Sequence, residues 1–352
     1  MDDLRLSDRI DALARIEPAR LPLLSVYLNT DVNETGRTTH DVFLRKELRQ
    51  RARTFEERSA DRESLDRDCE RIDKYLAEEL KSSTRGVALF ACAGADLFEA
   101  IQLQVPFTEN RLVISDRPHL YPLARLDEEH PRYAALVVDT NFARIFVFGT
   151  GATLDTVDVQ NPKTKHSKGG GWSQARFQRR VENVHLHHAK EVVERLDRIV
   201  ASEDIEHVVV AGDEVILPVL REQFPERLNA KVVDVLRLDI RSPEHEVLAA
   251  TLEVLRKKDE ETDEAVVEDL ISDYRAGGLA LVGPEPVREA LERGQVDTLV
   301  IAAEPGQVPG ADDAANDLVT LAKQTSASVR FIENPQLLAD VGGVGASLRF
   351  AI

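Results

Sequence analysis

Ala134-Ala-Leu-Val-Val-Asp139, Arg144-Ile-Phe-Val-Phe148 and Thr153-Leu-Asp-Thr-Val-Asp-Val159 stand close together, with only residues 140–143 and 149–152 between them. Three short runs, rich in β-branched and aromatic residues and punctuated by Asn141 and Gly149-Thr150-Gly151, predict an antiparallel meander. Next comes a glycine run, Gly169-Gly170-Gly171, and then Ser173, a residue suited to capping a helix that continues to about Val200. Val181, Val184, Val192, Leu196 and Ile199 give that helix its apolar face. A buried strand at His207–Ala211, a helix from Val215, a strand at Lys231–Leu236 and a helix from about Pro243 follow. Alternation of this kind packs helices on a sheet, so the centre of the chain reads as an α/β domain.

Outward from this centre the pattern persists. Before it, the spacing predicts a helix over Leu4–Ile16, a buried strand over Leu23–Leu28 and a polar loop at Asp31–Thr39. Two charge-rich helices then run from Val42 to Leu80, broken near Ser59-Ala60-Asp61, with Leu65, Cys69, Ile72, Leu76 and Leu80 in one stripe. Strands are expected at Gly86–Cys92, Phe98–Val105 and Leu112–Ser115, and the prolines at 118, 122 and 131 mark Arg117–Arg132 as a boundary. After the centre, the charged run Arg256–Glu264 leads into helix Val287–Arg293, strand Thr298–Ala302, helix Ala311–Gln324 and strand Val329–Ile332, an α/β/α sandwich ending in Gly342–Phe350. A chain of 352 residues exceeds what one core fills. The expected division is three α/β domains, at 1–128, 129–262 and 263–352.

Composition excludes several classes. With 43% apolar and 31% charged residues the chain can bury cores, so global disorder is not expected. No apolar run reaches the ~20 residues of a membrane span, and the acidic Met1-Asp2-Asp3 is unlike a signal peptide, which predicts a cytoplasmic protein with no membrane partner. Cys69 and Cys92, with no CxxC pair, form neither a disulfide framework nor a zinc knuckle. A net charge of −18 opposes nonspecific nucleic-acid binding, yet between Asn161 and Arg180 lie Lys163, Lys165, Lys168, Arg176, Arg179 and Arg180 without one acid. This is the place for an anionic partner. Arg176, Arg179 and Arg180, three and four apart, share one helix face suited to phosphate contact.

Four stretches, in order, resemble the archaeal and eukaryotic class-one peptide-chain release factors, their relative Pelota, and bacterial members of that superfamily. Leu24-Ser-Val-Tyr-Leu28 with the helix Val42–Gln50 is similar to the opening of the release-factor N-domain. Gly170-Gly171-Trp172-Ser173-Gln174-Ala175-Arg176-Phe177 resembles the Gly-Gly-Gln-Ser-x-x-Arg-Phe loop and helix start. Pro286–Ile301 is similar to a helix, turn and strand of the C-domain, and Gly342–Phe350 resembles the Gly-Gly-Ile-x-Ala-x-Leu-Arg-Tyr ending shared with Pelota. Two departures stand out. The Asn-Ile-Lys-Ser element of stop-codon reading is absent around Arg53–Leu65, and Trp172 replaces the glutamine of Gly-Gly-Gln, leaving Gln174 two residues later.

The resemblance implies work in the ribosomal A site, with the ribosome and a tRNA acceptor end as partners, a translational GTPase as a possible third, and no cofactor. Peptide release is attack of water on an ester, with negative charge building on oxygen. Consecutive glycines let backbone N–H groups approach that oxygen. Gly170, Gly171, Trp172 and Gln174 are therefore the expected catalytic group, Gln174 placing the water and Trp172 stacking on a terminal base. A plain strand-to-helix connection is the structural alternative. Two functional readings follow: a rescue factor hydrolysing peptidyl-tRNA without reading a stop codon, or a non-catalytic, Pelota-like hibernation factor. A non-ribosomal scaffold is the third. His185, His187 and His188 have no carboxylate or cysteine at ligand spacing and are not expected to hold a metal. Gly342-Gly343-Val344-Gly345 reads as a tight turn into the last strand, and Gly212-Asp213 as a strand-to-helix turn.

Overall fold

The structure, a computed structural model, describes residues 5–31, 38–160, 174–304 and 311–350, with the backbone alone for 174–178 and 312. It has two compact units, one of residues 1–129 with 260–352, the other of residues 130–259.

In the first unit, helix α1 (Leu6–Ala14), strand β1 (Leu23–Asn29), helices α2 (His40–Ala52) and α3 (Ala60–Glu78), and strands β2 (Gly86–Cys92), β3 (Leu97–Leu103) and β4 (Arg111–Ser115) form the N-terminal part. The break between α2 and α3 has a chemical cause: Ser59 Oγ accepts the Arg62 amide at 3.1 Å and caps α3. The sheet order is β3-β2-β1-β4, antiparallel throughout. Because side chains alternate along a strand, Leu24, Val26 and Leu28 meet α2 and α3 while Tyr27, Ala88 and Phe90 meet α1.

The stretch Arg117–Arg132 contains a helix, α4 (Tyr121–Glu129). Leu120, Leu123 and Leu126 enter the N-terminal core, whereas Tyr121 and Ala124 enter a second core built with residues 287–346. Asn316 Oδ1 accepts the amides of Leu120 at 2.6 Å and Tyr121 at 3.3 Å, satisfying two N–H groups at the helix start. The Tyr121 hydroxyl donates between the carbonyls of Ala302 and Ala303, 2.9 Å from each.

The second unit carries strands β5 (Tyr133–Val138), β6 (Phe142–Gly149) and β7 (Ala152–Gln160), helix α5 (Gln174–Ser202), strand β8 (His207–Gly212), short helices α6 (Ile216–Arg221) and α7 (Glu226–Asn229), strand β9 (Val232–Leu236) and the start of helix α8 (Glu244–Arg275). The expected meander is present, and β5 also pairs in parallel with β8, giving the order β7-β6-β5-β8-β9. Helices α5 and α6 bury one face of this sheet, and Val247 and Leu255 of α8 the other.

The remainder of the first unit is strand β10 (Ala280–Val282), helix α9 (Pro284–Glu292), strand β11 (Val296–Ala302), helix α10 (Ala311–Gln324) and strands β12 (Ser328–Ile332) and β13 (Val344–Leu348). Its order is β10-β13-β11-β12, with α9 and α10 on one face and Val267 and Leu270 of α8 on the other, the expected α/β/α sandwich. Gly342 and Gly343, at φ 77° and 79°, make the tight turn into β13, a left-handed conformation that side chains resist. Among the described residues no helix is long and apolar enough to cross a membrane.

Candidate functional site

The site expected from sequence lies where β7 ends and α5 begins. Strand β7 is held to its last residue by pairing of Gln160 with Phe142. The neighbouring β5–β6 turn is fixed by Asp139, whose Oδ1 accepts the amides of Asn141 and Phe142, both at 2.7 Å. Gln174 is the first residue of α5. Lys163, Lys165, Lys168, Gly170, Gly171 and Trp172 lie outside the described residues. Gln174 and Arg176 fall in the first turn of the helix, and Arg179 and Arg180 are exposed on its second.

The anchoring of α5 is uneven along its 29 residues. Ala189, Val192, Leu196 and Val200 are buried against the sheet, whereas Arg179, Arg180, Glu182, Asn183 and His187 are exposed. At 1.5 Å per residue, the helix start is roughly 22 Å from the first fully buried alanine. The C-terminal half fixes the helix through its core contacts, and the N-terminal half carries the basic residues away from them.

Histidines mark the change between the halves. His187 is exposed and His185 half-buried, while His188 is 1% exposed and packs at the Asp139–Phe142 turn. Burial lowers the His188 pKa below the ordinary histidine value, and the backbone of Phe142 and Asp139 opposes part of that shift. Neither ring nitrogen makes a hydrogen bond of ordinary geometry. His188 is therefore neutral at pH 7 and acts as a packing residue. Among the described residues no three metal-ligating side chains converge.

At the other strand end, Asp213 Oδ1 accepts the amides of Val215 and Ile216, both at 2.9 Å, tying off the start of α6. A Cβ on Gly212 would meet the Val138 carbonyl at 2.6 Å. Both residues thus have structural work in the strand-to-helix turn expected there.

Residues 118–256 match the family model described as bacterial archaeo-eukaryotic release factor family 10. Over 304 residues the chain is 27% identical to the uncharacterized protein Rv2629 of Mycobacterium tuberculosis, covering 83% of this chain and 78% of that protein. It is 29% identical over 174 residues to the Pelota homologue of Pyrococcus furiosus, covering 46% and 48% of the two chains. With peptide chain release factor subunit 1 of Thermoplasma acidophilum it shares 26% identity over 285 residues, 66% of this chain and 67% of that one. Among solved structures, a ribosome-bound archaeal Pelota with ABCE1 aligns over 99% of this chain and 95% of its own at 15% identity, with a TM-score of 0.46.

Proposed function

We propose that the chain, a bacterial-type member of the release factor/Pelota superfamily by its likeness to the family model and to the Pelota and release-factor relatives, is a cytoplasmic, ribosome-associated translation factor occupying the A site. In this reading the segment before α5 approaches the acceptor end of a tRNA, and Lys163, Lys165, Lys168, Arg176, Arg179 and Arg180 contact RNA phosphates. The supporting observation is α5 itself: it starts directly behind the glycine run and presents Arg179 and Arg180 to solvent, in a chain of net charge −18. Phosphate contacts need such a local excess of cations, because a chain of this net charge otherwise repels RNA.

The chemistry proposed for this loop is hydrolysis of peptidyl-tRNA for ribosome rescue without stop-codon reading, Gln174 positioning the water and the amide of Trp172 or Ser173, just ahead of the helix, stabilising the oxyanion. Trp172, in place of the family's glutamine, favours a second reading: occupancy of idle ribosomes without chemistry, the indole stacking on a base. A translational GTPase would be the delivering partner in either case.

Cosedimentation with ribosomes over a series of salt concentrations tests the shared part of both readings. Six phosphate contacts predict that log affinity falls with log salt at a slope near ~5, on the order of 10³-fold between 50 and 200 mM. Changing Lys163, Lys165, Lys168, Arg179 and Arg180 together to Ala should abolish pelleting. Equal pelleting of variant and parent would remove this segment as the ribosome anchor.

A further inference from the structure

Helix α2 buries His40, Leu44, Leu48 and Ala52, which recur every fourth residue, and the last three join the N-terminal core. The opposite face is basic. Lys46, Arg49 and Arg53 follow one another along it at spacings of three and four, with Arg45 and Gln50 at its margins, and all five are exposed. From Arg45 to Arg53 the row is about 12 Å long. The two acids of the helix have other partners: Asp41 Oδ1 lies 3.5 Å from His40 Nε2, and Glu47 lies 3.9 Å from Arg51.

Two structural explanations of this row fall short. Cations stabilise the last turn of a helix through its dipole, which accounts for Arg49 and Arg53 but not for Arg45 and Lys46, farther from the end at Ala52. Solvated helix faces, for their part, mix the signs. Lys74 meets Glu78 on α3, Arg198 meets Glu194 on α5, Arg256 meets Glu253 on α8 and Arg293 meets Glu289 on α9. Arg45, Lys46, Arg49 and Arg53 meet no carboxylate among the described residues. Like charges four residues apart weaken a helix, so the stability of α2 does not explain them.

The chemistry of the face selects its partner. Guanidinium forks match phosphate oxygens, and in a chain of net charge −18 an unpaired basic row is where a polyanion can approach. A protein partner would look for apolar anchors, and this face offers only Val42, 73% exposed at one end. A single strand would look for aromatic rings on which to stack its bases, and the face has none. Double-helical RNA needs neither, because it is held by its phosphates and its shape.

We infer that the exposed face of α2 is a docking surface for the phosphate backbone of double-helical RNA. It is a second RNA contact, separate from the segment before α5, and it reads no bases. The choice of RNA rests on the ribosomal reading; the contact with phosphate does not.

The test is fluorescence anisotropy of a labelled RNA duplex of about 16 base pairs. It is titrated with the full chain carrying alanine at Lys163, Lys165, Lys168, Arg179 and Arg180, so that the segment before α5 does not contribute. This protein should still bind, with log affinity falling with log salt at a slope of about 3–4, as four phosphate contacts require. Adding Arg45→Ala, Lys46→Ala, Arg49→Ala and Arg53→Ala should weaken binding at 50 mM salt by about tenfold or more and flatten the slope. Adding instead Lys74→Ala, Arg198→Ala, Arg256→Ala and Arg293→Ala, an equal loss of charge from paired cations, should leave affinity within about twofold. Should the four changes in α2 prevent folding, Arg45→Ala with Arg49→Ala replaces them and should lower the slope by about 2. No binding before the α2 changes, full binding after them, or an equal loss from the paired cations would overturn the inference. Tighter binding of a single strand of the same length would overturn the choice of a double helix, and equal binding of a poly-glutamate peptide would reassign the face to an acidic protein. Pelleting of the parent with ribosomes decides the ribosomal reading separately, since the duplex titration contains no ribosomes.

Discussion

Replacing Asp127 by Asn should make the protein more stable at neutral pH and leave it unchanged near pH 4. Asp127 lies on α4, and burial pushes its pKa up to about 6 from the usual 3.8. Lys323 on α10 opposes the shift, while Asp11 and Asp8 on α1 add to it. A carboxyl whose folded pKa exceeds its unfolded one binds its proton more tightly when folded. Its contribution to stability is complete below pH 3.8, is lost as pH rises, and is gone above about 6. A shift of about two units corresponds to about 3 kcal/mol at most. Asp127 is only half-buried, so water screens part of this and about 1–2 kcal/mol is the working figure. For a unit of this size that amounts to a melting shift of roughly 2–8 °C. Thermal unfolding of parent and Asp127→Asn at pH 4, 6 and 8 should give curves that coincide at the lowest pH and separate upward. A difference independent of pH, or a variant less stable at pH 8, would refute the argument that an ionised carboxylate is being held at a cost between α1, α4 and α10.

The other predictions concern the loop, the α4 junction and a thiol. If the chain is a hydrolase, Gln174→Ala should slow release of peptide from ribosome-bound peptidyl-tRNA by roughly 10–1,000-fold while hardly changing binding, and Gly171→Ala should be at least as damaging. If it is a non-catalytic occupant, the parent will release nothing above background and Trp172→Ala will lower ribosome affinity by about 1–3 kcal/mol. Asn316→Ala should destabilise the protein by about 1–3 kcal/mol in urea unfolding, since it strips the cap from α4 and leaves two buried amides unpaired; an unchanged midpoint would contradict that role. Residues 129–262 expressed alone should melt cooperatively, whereas 1–128 alone should melt below the full chain, having lost Asn316 and the partners of Tyr121; equal melting would discount those contacts. Burial, with nearby Asp66, Asp73 and Asp68, pushes the Cys69 thiol up to about 12, so iodoacetamide at pH 8 should leave it unmodified in the folded protein by intact mass.

Much of the layout was legible because local pattern and tertiary role agreed. The meander reads from its β-branched runs, the break before α3 from Ser59, the last turn from Gly342-Gly343, and α10 over Ala311–Gln324 from the alternation of helix and strand. The resemblance also ordered the site residues, since a motif is a property of sequence. Helix α4 was not legible as a helix. Its prolines suggested a boundary, and its apolar residues serve two cores on different sides, so no one face looks buried and another wet. The charged run Arg256–Glu264 reads from its charge as a connection, and the structure makes it part of one continuous helix, α8, whose Val247 and Leu255 pack on one sheet and Val267 and Leu270 on another.

The sequence by itself determined the α/β character, the bounds of most elements, the family likeness and the acid-free basic segment, all of which depend on residues close in the chain or on motifs. Tertiary structure alone decided which half of α5 is buried, that His188 is a neutral core residue beside an exposed His187, and that Asn316 caps a helix 195 positions away. The physical reason is common to these cases. Burial, capping and pKa depend on which surfaces meet, and residues far apart in sequence meet through the packing of whole faces, a relation that no local periodicity encodes.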